Sequence, residues 1–90
     1  MEQETGMTIF GATVLELMAS RGLRTWTALS AKLEAEGFDY KPSTISNWAF
    51  GRHAADRRFG QALATVLALD AGERQRLADA FLFGQSERLS

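Results

Sequence analysis

The sequence predicts a single all-α domain of five helices. Apolar residues recur three and four positions apart along most of the chain, which is the spacing of one helix face. Most of the eight glycines stand where such an apolar run ends. No useful stretch alternates apolar and polar residues as a strand does, and the chain has no internal repeat and no Pro/Ser-rich linker.

The size of the chain also fits one domain. Its 90 residues lie near the lower end of the common single-domain range, and 46% apolar residues suffice for a compact helical core or a small dimer. We expect the domain to occupy residues 8–84, between a flexible N-terminus at 1–7 and a frayed tail at 85–90.

The first two helices have recognisable beginnings and ends. The first is predicted to start at Thr8 and to end in the segment SRGL, where Gly22 suits the C′ position. Thr25 can cap the second helix, and Gly37 ends it. Their apolar positions are Ile9, Phe10, Val14, Leu15, Leu17 and Met18 in the first helix and Trp26, Leu29 and Leu33 in the second.

The third helix follows a short connector, FDYK, whose aromatic residues can fill the corner between two helices. Pro42 is the only proline of the chain and suits the first helical position, because its missing N–H would have no helical partner there. The helix is predicted to run to about Phe50, and Gly51 stops it.

The last two helices are marked by acidic caps. Asp56 is the predicted N-cap of the fourth helix, and Asp70 with Glu73 resembles a capping box at the start of the fifth, which Gly84 ends. The excess of apolar residues near the C-terminus also suits a dimer interface. Core positions are predicted at Phe59, Leu63, Val66, Leu67, Leu69, Leu77, Ala80, Phe81, Leu82 and Phe83.

The composition excludes several classes of function. Without cysteine there is no disulfide and no thiolate metal site, and the single histidine, His53, cannot build a zinc site alone. We expect no metal and no cofactor. No apolar run approaches the roughly 20 residues that span a bilayer, and the acidic start at Glu2 and Glu4 is unlike a secretory signal. An intracellular protein without a membrane partner is expected.

The sequence also lacks a pattern of catalytic groups, so we expect no enzyme. Glu34 and Glu36 stand two positions apart, and such residues diverge on a helix rather than pair for acid–base chemistry. One histidine with scattered serines makes no triad, and no glycine-rich phosphate loop occurs.

The distribution of charge is more informative than its total. A net charge of −1 argues mildly against a nucleic-acid partner. However, residues 41–58 hold four basic residues against one acidic residue, and residues 21–32 hold three basic residues and no acidic one. Because charges beyond about one Debye length are screened, the local field decides what a polyanion meets. The sequence is compatible with a basic face and an acidic back.

The stretch KPSTISNWAFGR places short polar side chains on a helix whose other face carries Ile45 and Trp48. A helix built only for packing would favour Leu, Glu, Lys and Ala on its wet side, since these residues form helices better. Short donors and acceptors suit the DNA major groove, which is only about 12 Å wide. Periodicity alone leaves two interpretations open, a DNA-binding domain and a plain helical interaction domain.

The segment from Thr25 to Arg52 resembles the helix-turn-helix of the Cro-type, or XRE, family of phage repressors and bacterial regulators. Thr25, Leu29 and Ser30 match the family's second helix. The recognition-helix pattern Ser/Thr-x-Ile-Ser-x-Trp-x-x-Gly is matched by Thr44, Ile45, Ser46, Trp48 and Gly51. A looser resemblance covers about residues 12–83 and implies a five-helix, repressor-like fold.

The resemblance also implies roles for individual residues. Ile45 and Trp48 would anchor the recognition helix in the core, and Asn47 could pair with the N6/N7 edge of adenine. Residues that would read bases are Pro42, Ser43, Ser46 and Asn47. Residues that would bind phosphate are Arg24, Thr25, Lys41, Thr44, Arg52, His53 and Arg57.

Two features depart from the family pattern. Leu33 and Ile45 lie 12 positions apart, which is farther than the family's tight turn allows. Either the second helix is longer by a turn, or the corner between the second and third helices is enlarged. The second position of the second helix, frequently a glutamine that touches DNA, is Trp26 here, and core or corner packing is the expected role of that side chain.

The function expected from the resemblance is sequence-specific transcription regulation, most simply repression. The protein would act on double-stranded DNA in the cytoplasm, as a bacterial or phage-encoded homodimer with a possible protein co-regulator. The alternative is a helix-turn-helix-shaped adaptor or antitoxin-like partner without DNA binding. The sequence pI of about 5.7 and the unusual corner with Phe38 and Tyr40 favour that alternative.

Overall fold

The structure, a computed structural model, describes residues 6–85 and contains five α-helices and no strand within that range. The all-α prediction is confirmed. The predicted flexible N-terminus and frayed tail lie outside the described residues except for residues 6, 7 and 85. The helices are α1 (Ile9–Ala19), α2 (Trp26–Ala35), α3 (Pro42–Ala49), α4 (Arg57–Val66) and α5 (Ala71–Phe83).

The helices begin where the capping residues were predicted from the sequence. The side chains of Thr25 and Asp56 each accept a hydrogen bond from a backbone N–H of the first helical turn. At α5 the capping box is complete: Asp70 accepts from the Glu73 N–H at 2.8 Å, and Glu73 accepts from the Asp70 N–H at 3.0 Å. Pro42 occupies the start of α3, as predicted.

The first four helices end in the same hydrogen-bonded turn, in which a backbone N–H reaches the carbonyl five residues earlier. Such a turn needs a left-handed residue, and Gly22, Gly37 and Gly51 supply it after α1, α2 and α3. After α4 the same place is held by Ala68 at φ 51°. A side chain in this region costs about 1–2 kcal/mol relative to glycine. Ala68 is exposed, so burial of the adjacent Leu67 and Leu69 must offset that cost.

The core lies where α1 packs against α3 and α5, α2 against α3 and α4, and α4 against α5. Phe59 is at its centre, with its ring centroid 4.9 Å from that of Trp48 and 6.4 Å from that of Phe10. The fully buried apolar side chains include Phe10, Val14, Leu29, Leu33, Ile45, Phe59 and Leu63. Of the predicted apolar positions, Leu15, Trp26, Val66 and Phe81 are only partly buried against this core.

Two predicted core residues lie outside the core. Leu82 and Phe83 are each 70% exposed, so their assignment to the core was wrong. α5 buries the stripe formed by Leu77 and Ala80, and α1 and α4 pack against α5. Each residue is rotated by about 100° from the preceding one, so Leu82 and Phe83 fall on either side of this stripe. Leu82 borders a groove between α4 and α5, and Phe83 lies beside Ile9 and Thr13 of α1.

The N-terminus of α1 fixes the end of α3. Thr8 is fully buried, and both its N–H and its hydroxyl donate to the Ala49 carbonyl, at 3.0 and 2.9 Å. Its hydroxyl oxygen also accepts from the Gly11 N–H at 3.0 Å. The Phe10 N–H donates to the Gly84 carbonyl at 2.9 Å. The unpaired donors at the start of α1 are therefore satisfied by the unpaired carbonyls at the ends of α3 and α5.

An ion pair between Arg21 and Glu73 ties the end of α1 to the start of α5. Two guanidinium nitrogens donate to the two carboxylate oxygens at 2.7 Å, and Nε donates to the Leu67 carbonyl at 2.8 Å. The hydrogen bonds from Arg21, followed by the bond from the Asp70 N–H, lower the pKa of Glu73 from 4.5 to about 2.

This pKa predicts how stability changes in acid. A carboxylate whose pKa is lower in the folded than in the unfolded chain stabilises the fold above pH 4.5, and this contribution is lost as the pH falls toward about 2. Glu73→Gln should therefore lower the melting temperature at pH 7 but have little effect near pH 2. Thermal denaturation followed by circular dichroism across this range measures the difference. The matched variant Glu34→Gln removes an exposed carboxylate of α2 and serves as the control. The prediction would be contradicted if the change in melting temperature depended on pH equally in both variants.

Candidate nucleic-acid interface

The inner face of α3 is fixed in the core by three residues. Ile45 is 1% exposed, Ala49 2% and Trp48 9%. The Trp48 ring packs against those of Phe59 and Tyr40, with centroid distances of 4.9 and 5.6 Å. Ile45 and Trp48 are therefore buried in the core, and their role as anchors of a recognition helix stays a prediction.

The opposite edge of α3 reaches the surface. Ser43 is exposed, and the other three predicted base-reading residues, Pro42, Ser46 and Asn47, are half-buried. Thr44 is also half-buried. This edge therefore presents hydroxyl and amide groups that are short enough to approach another surface closely.

Asn47 is oriented by a residue beyond the helix end. The Arg52 guanidinium donates to its Oδ1 at 3.3 Å, and the Arg52 backbone N–H donates to the Asn47 carbonyl at 2.9 Å. Gly51, at φ 74°, turns the chain so that Arg52 comes back over α3. An amide oxygen has a second acceptor site, and the amide NH₂ keeps its two donors, so Asn47 can still donate and accept at once.

Basic residues flank both ends of α3. Lys41 precedes Pro42 and is exposed, as are Arg52 and His53 after the helix. The Arg52 guanidinium lies 5.3 Å from the centre of the Phe50 ring, which holds the charge close to the helix end. Sequence reasoning placed cations here, and the geometry adds that Arg52 also contacts Asn47.

The remaining predicted phosphate-binding residues lie on other elements. Arg24 and Thr25 are exposed at the start of α2, where the Thr25 hydroxyl accepts from the Ala28 N–H at 3.0 Å and keeps its own proton to donate. Arg57 begins α4 and lines a groove between α4 and α5. Most of the predicted phosphate-binding residues therefore lie near α2 and α3, whereas Arg57 lies on a second surface, between α4 and α5.

The corner between α2 and α3 accounts for the long spacing seen in the sequence. α2 ends at Ala35, so the additional residues form a connector at 36–41 rather than a longer helix. The Ser30 hydroxyl donates to the Tyr40 carbonyl at 2.6 Å, and the Tyr40 ring packs 5.4 Å from that of Phe59. Burial raises the pKa of Tyr40, as does the nearby Asp56. The enlarged corner is therefore tied to both helices.

Sequence reasoning missed the contact that positions α3 from α1. A Cβ added to Gly11 would lie 2.2 Å from the Ala49 carbonyl oxygen, so only glycine allows the two backbones to approach this closely. The available signal was a glycine within the predicted first helix, because glycine forms helices less well than alanine.

Neither a metal-ligand cluster nor a helix able to cross a membrane occurs in the described part of the chain. Residues 6–85 contain no group of three or more His, Cys, Asp or Glu side chains that could hold a metal ion. Within the same residues, no helix combines the length and apolarity needed to cross a bilayer. Comparisons with protein-family models, curated proteins and solved structures gave no match to this chain.

Proposed function

We propose that this protein is a sequence-specific DNA-binding regulator of the helix-turn-helix type. α2 would lie across the DNA backbone, and α3 would enter the major groove with its polar edge toward the bases. The protein would act in the cytoplasm as a homodimer, most simply as a repressor that blocks a promoter.

One observation carries this proposal: α3 divides into a buried apolar face and an outer edge of small polar side chains. Burial of Ile45 and Trp48 gives the helix a fixed orientation, and Ser43 is exposed on the other side. A pre-oriented helix with short donors and acceptors can reach base edges without ordering long side chains. Asn47 lies on the same edge and has the amide that pairs best with adenine.

The basic residues at the ends of α3 support the same docking. Lys41, Arg52 and His53 are exposed around the polar edge, where phosphates of a bound duplex would pass. Arg24 and Thr25 add a charge and a hydroxyl donor at the start of α2. The net charge of −1 is no obstacle, because phosphate contacts depend on charges within about one Debye length.

A homodimer follows from the amount of sequence that one helix can read. A single α3 has few base-reading residues, and two copies related by a two-fold axis would read half-sites about one helical turn apart. Direct contact between two copies then fixes the half-site spacing, which is a geometric property of the operator.

Asn47→Ala and Arg52→Ala should weaken DNA binding in different ways. Loss of the Asn47 amide should reduce discrimination against a changed base pair by about 1–3 kcal/mol, with little change in salt dependence. Loss of Arg52 should weaken binding to all duplexes and lower the salt slope by about one. Operators would first be selected from a random duplex pool with the wild-type protein, and affinities then measured at several salt concentrations.

Matched controls are available on α5. Gln75→Ala removes an exposed amide that pairs with Asp79, and Arg76→Ala removes an exposed cation that pairs with Glu16. Neither change should affect selectivity or salt slope. If the wild type selects no sequence, or binds DNA without dependence on salt, the DNA-binding proposal fails and the adaptor alternative replaces it.

A further inference from the structure

A groove of about 370 Å³ runs between α4 and α5. α4 contributes the residues at positions 57, 60, 61 and 64, and α5 contributes those at 74, 77, 78, 81 and 82. Both sets follow helical spacing, so the groove is the shared surface of two packed helices rather than a gap left by a loop.

Six of the nine residues that line the groove are apolar, and the others are Gln61 and two arginines. Gly60, Ala64 and Ala78 keep the floor low, and the ring of Phe81 lies across Gly60, at 2.9 Å from where a Cβ would stand. Leu82 forms a wall and is 70% exposed. The exposed Leu82 side chain enlarges the apolar area that this groove offers to a binding partner.

The charges at the groove have a single sign. Arg57 lines it from α4 and Arg74 from α5, and no carboxylate is among its lining residues. Two copies that met through this face would bring four arginines together without a pairing acid, which disfavours a symmetric dimer here. A phosphate backbone would gain nothing from the apolar floor, so the groove is also poorly suited to nucleic acid.

We propose that the α4–α5 groove binds an acidic amphipathic helix of a partner protein. Such a helix would place apolar residues at i, i+3 or i+4, and i+7 along the floor, and would direct carboxylates to Arg57 and Arg74. The groove lies between two helices that do not include α3. Arg57 is the one predicted phosphate-binding residue that lines the groove. The other predicted DNA contacts lie elsewhere, so peptide binding and the proposed DNA binding can each fail without the other.

A selection from a phage-displayed library of helix-forming 16-residue peptides tests this proposal with the full-length protein. Enriched peptides should carry the apolar spacing together with Asp or Glu on the flanks. A synthetic peptide of this type should bind the double variant Arg57→Glu/Arg74→Glu about tenfold more weakly than the wild type, because each exposed ion pair contributes a few-fold. Replacing the peptide's acids with lysine should restore binding to the double variant.

Two controls keep the result specific. Arg24→Glu/Arg58→Glu makes the same change in net charge outside the groove and should leave peptide affinity unchanged. Leu82→Ala should weaken peptide binding. It should not change the molecular mass of the protein measured by analytical ultracentrifugation. Selection of no peptide, equal binding of acidic and basic peptides, or a dimer that Leu82→Ala dissociates would each overturn the proposal.

Discussion

Gly11→Ala should destabilise the protein by at least about 3 kcal/mol, although alanine is the better helix former. The new methyl carbon would lie 2.2 Å from the Ala49 carbonyl oxygen and 2.9 Å from the Ala49 carbonyl carbon and Cα. These are backbone atoms at the end of α3, so α1 and α3 must separate. That separation weakens both hydrogen bonds from Thr8 to Ala49, each worth about 1 kcal/mol. Urea denaturation followed by circular dichroism measures the loss.

Two other helical glycines provide graded controls. At Gly72 an added Cβ would meet only a carboxylate oxygen of Asp70 at 3.5 Å, so Gly72→Ala should be neutral or stabilise by up to about 1 kcal/mol. At Gly60 the contact is the Phe81 ring at 2.9 Å, a side chain that can move, so an intermediate cost is expected. If Gly11→Ala proved as harmless as Gly72→Ala, the close packing of α1 on α3 would be refuted.

Local signals were sufficient to predict the helices. Pro42 at a helix start, Gly51 after a helix end and the Asp70–Glu73 capping box each act through residues within one or two turns. The same is true of the two faces of α3, because burial of Ile45 and Trp48 follows directly from the helical period. The helix boundaries and the burial of one face of α3 could therefore be inferred from the sequence.

Contacts between distant residues were not predictable in this way. The Thr8–Ala49 hydrogen bond joins residues 41 positions apart, and nothing near either residue indicates its partner. The assignment of Leu82 and Phe83 to the core failed for the same reason: a local apolar pattern cannot show which sides of α5 its neighbours α1 and α4 cover. Ala68 also gave no signal, since the left-handed turn that it forms normally carries glycine.

The geometry of the candidate site could be predicted only in part, because it depends on both local signals and contacts between distant residues. Arg52 and Asn47 are close in sequence, but the side-chain bond between them requires the turn that Gly51 makes after α3. The enlarged corner was visible as a spacing, whereas the packing of Tyr40 on Trp48 and Phe59 depends on how α2, α3 and α4 meet. The corner gives α3 a second attachment to the core, in addition to the junction with α1.

Trp48→Ala should cost about 3–5 kcal/mol, because it removes the largest side chain on the inner face of α3 and leaves a cavity beside Phe59 and Tyr40. The total stability of a small domain is only about 5–15 kcal/mol, so a large fraction of this protein should unfold near physiological temperature. Differential scanning calorimetry or thermal circular dichroism measures the effect. DNA binding should be lost in parallel with the folded fraction rather than independently of it.

Two variants separate this anchoring role from direct contact with a ligand. Trp48→Phe keeps an aromatic ring against Phe59 and should cost only on the order of 1–2 kcal/mol. Ser43→Ala alters the exposed edge of the same helix and should change stability by less than about 0.5 kcal/mol while affecting DNA binding. A Trp48→Ala protein that melted like the wild type but failed to bind DNA would show that Trp48 acts at the interface. In that case the buried face of α3 would have been identified incorrectly, and the polar edge would no longer be the side that is presented to the bases.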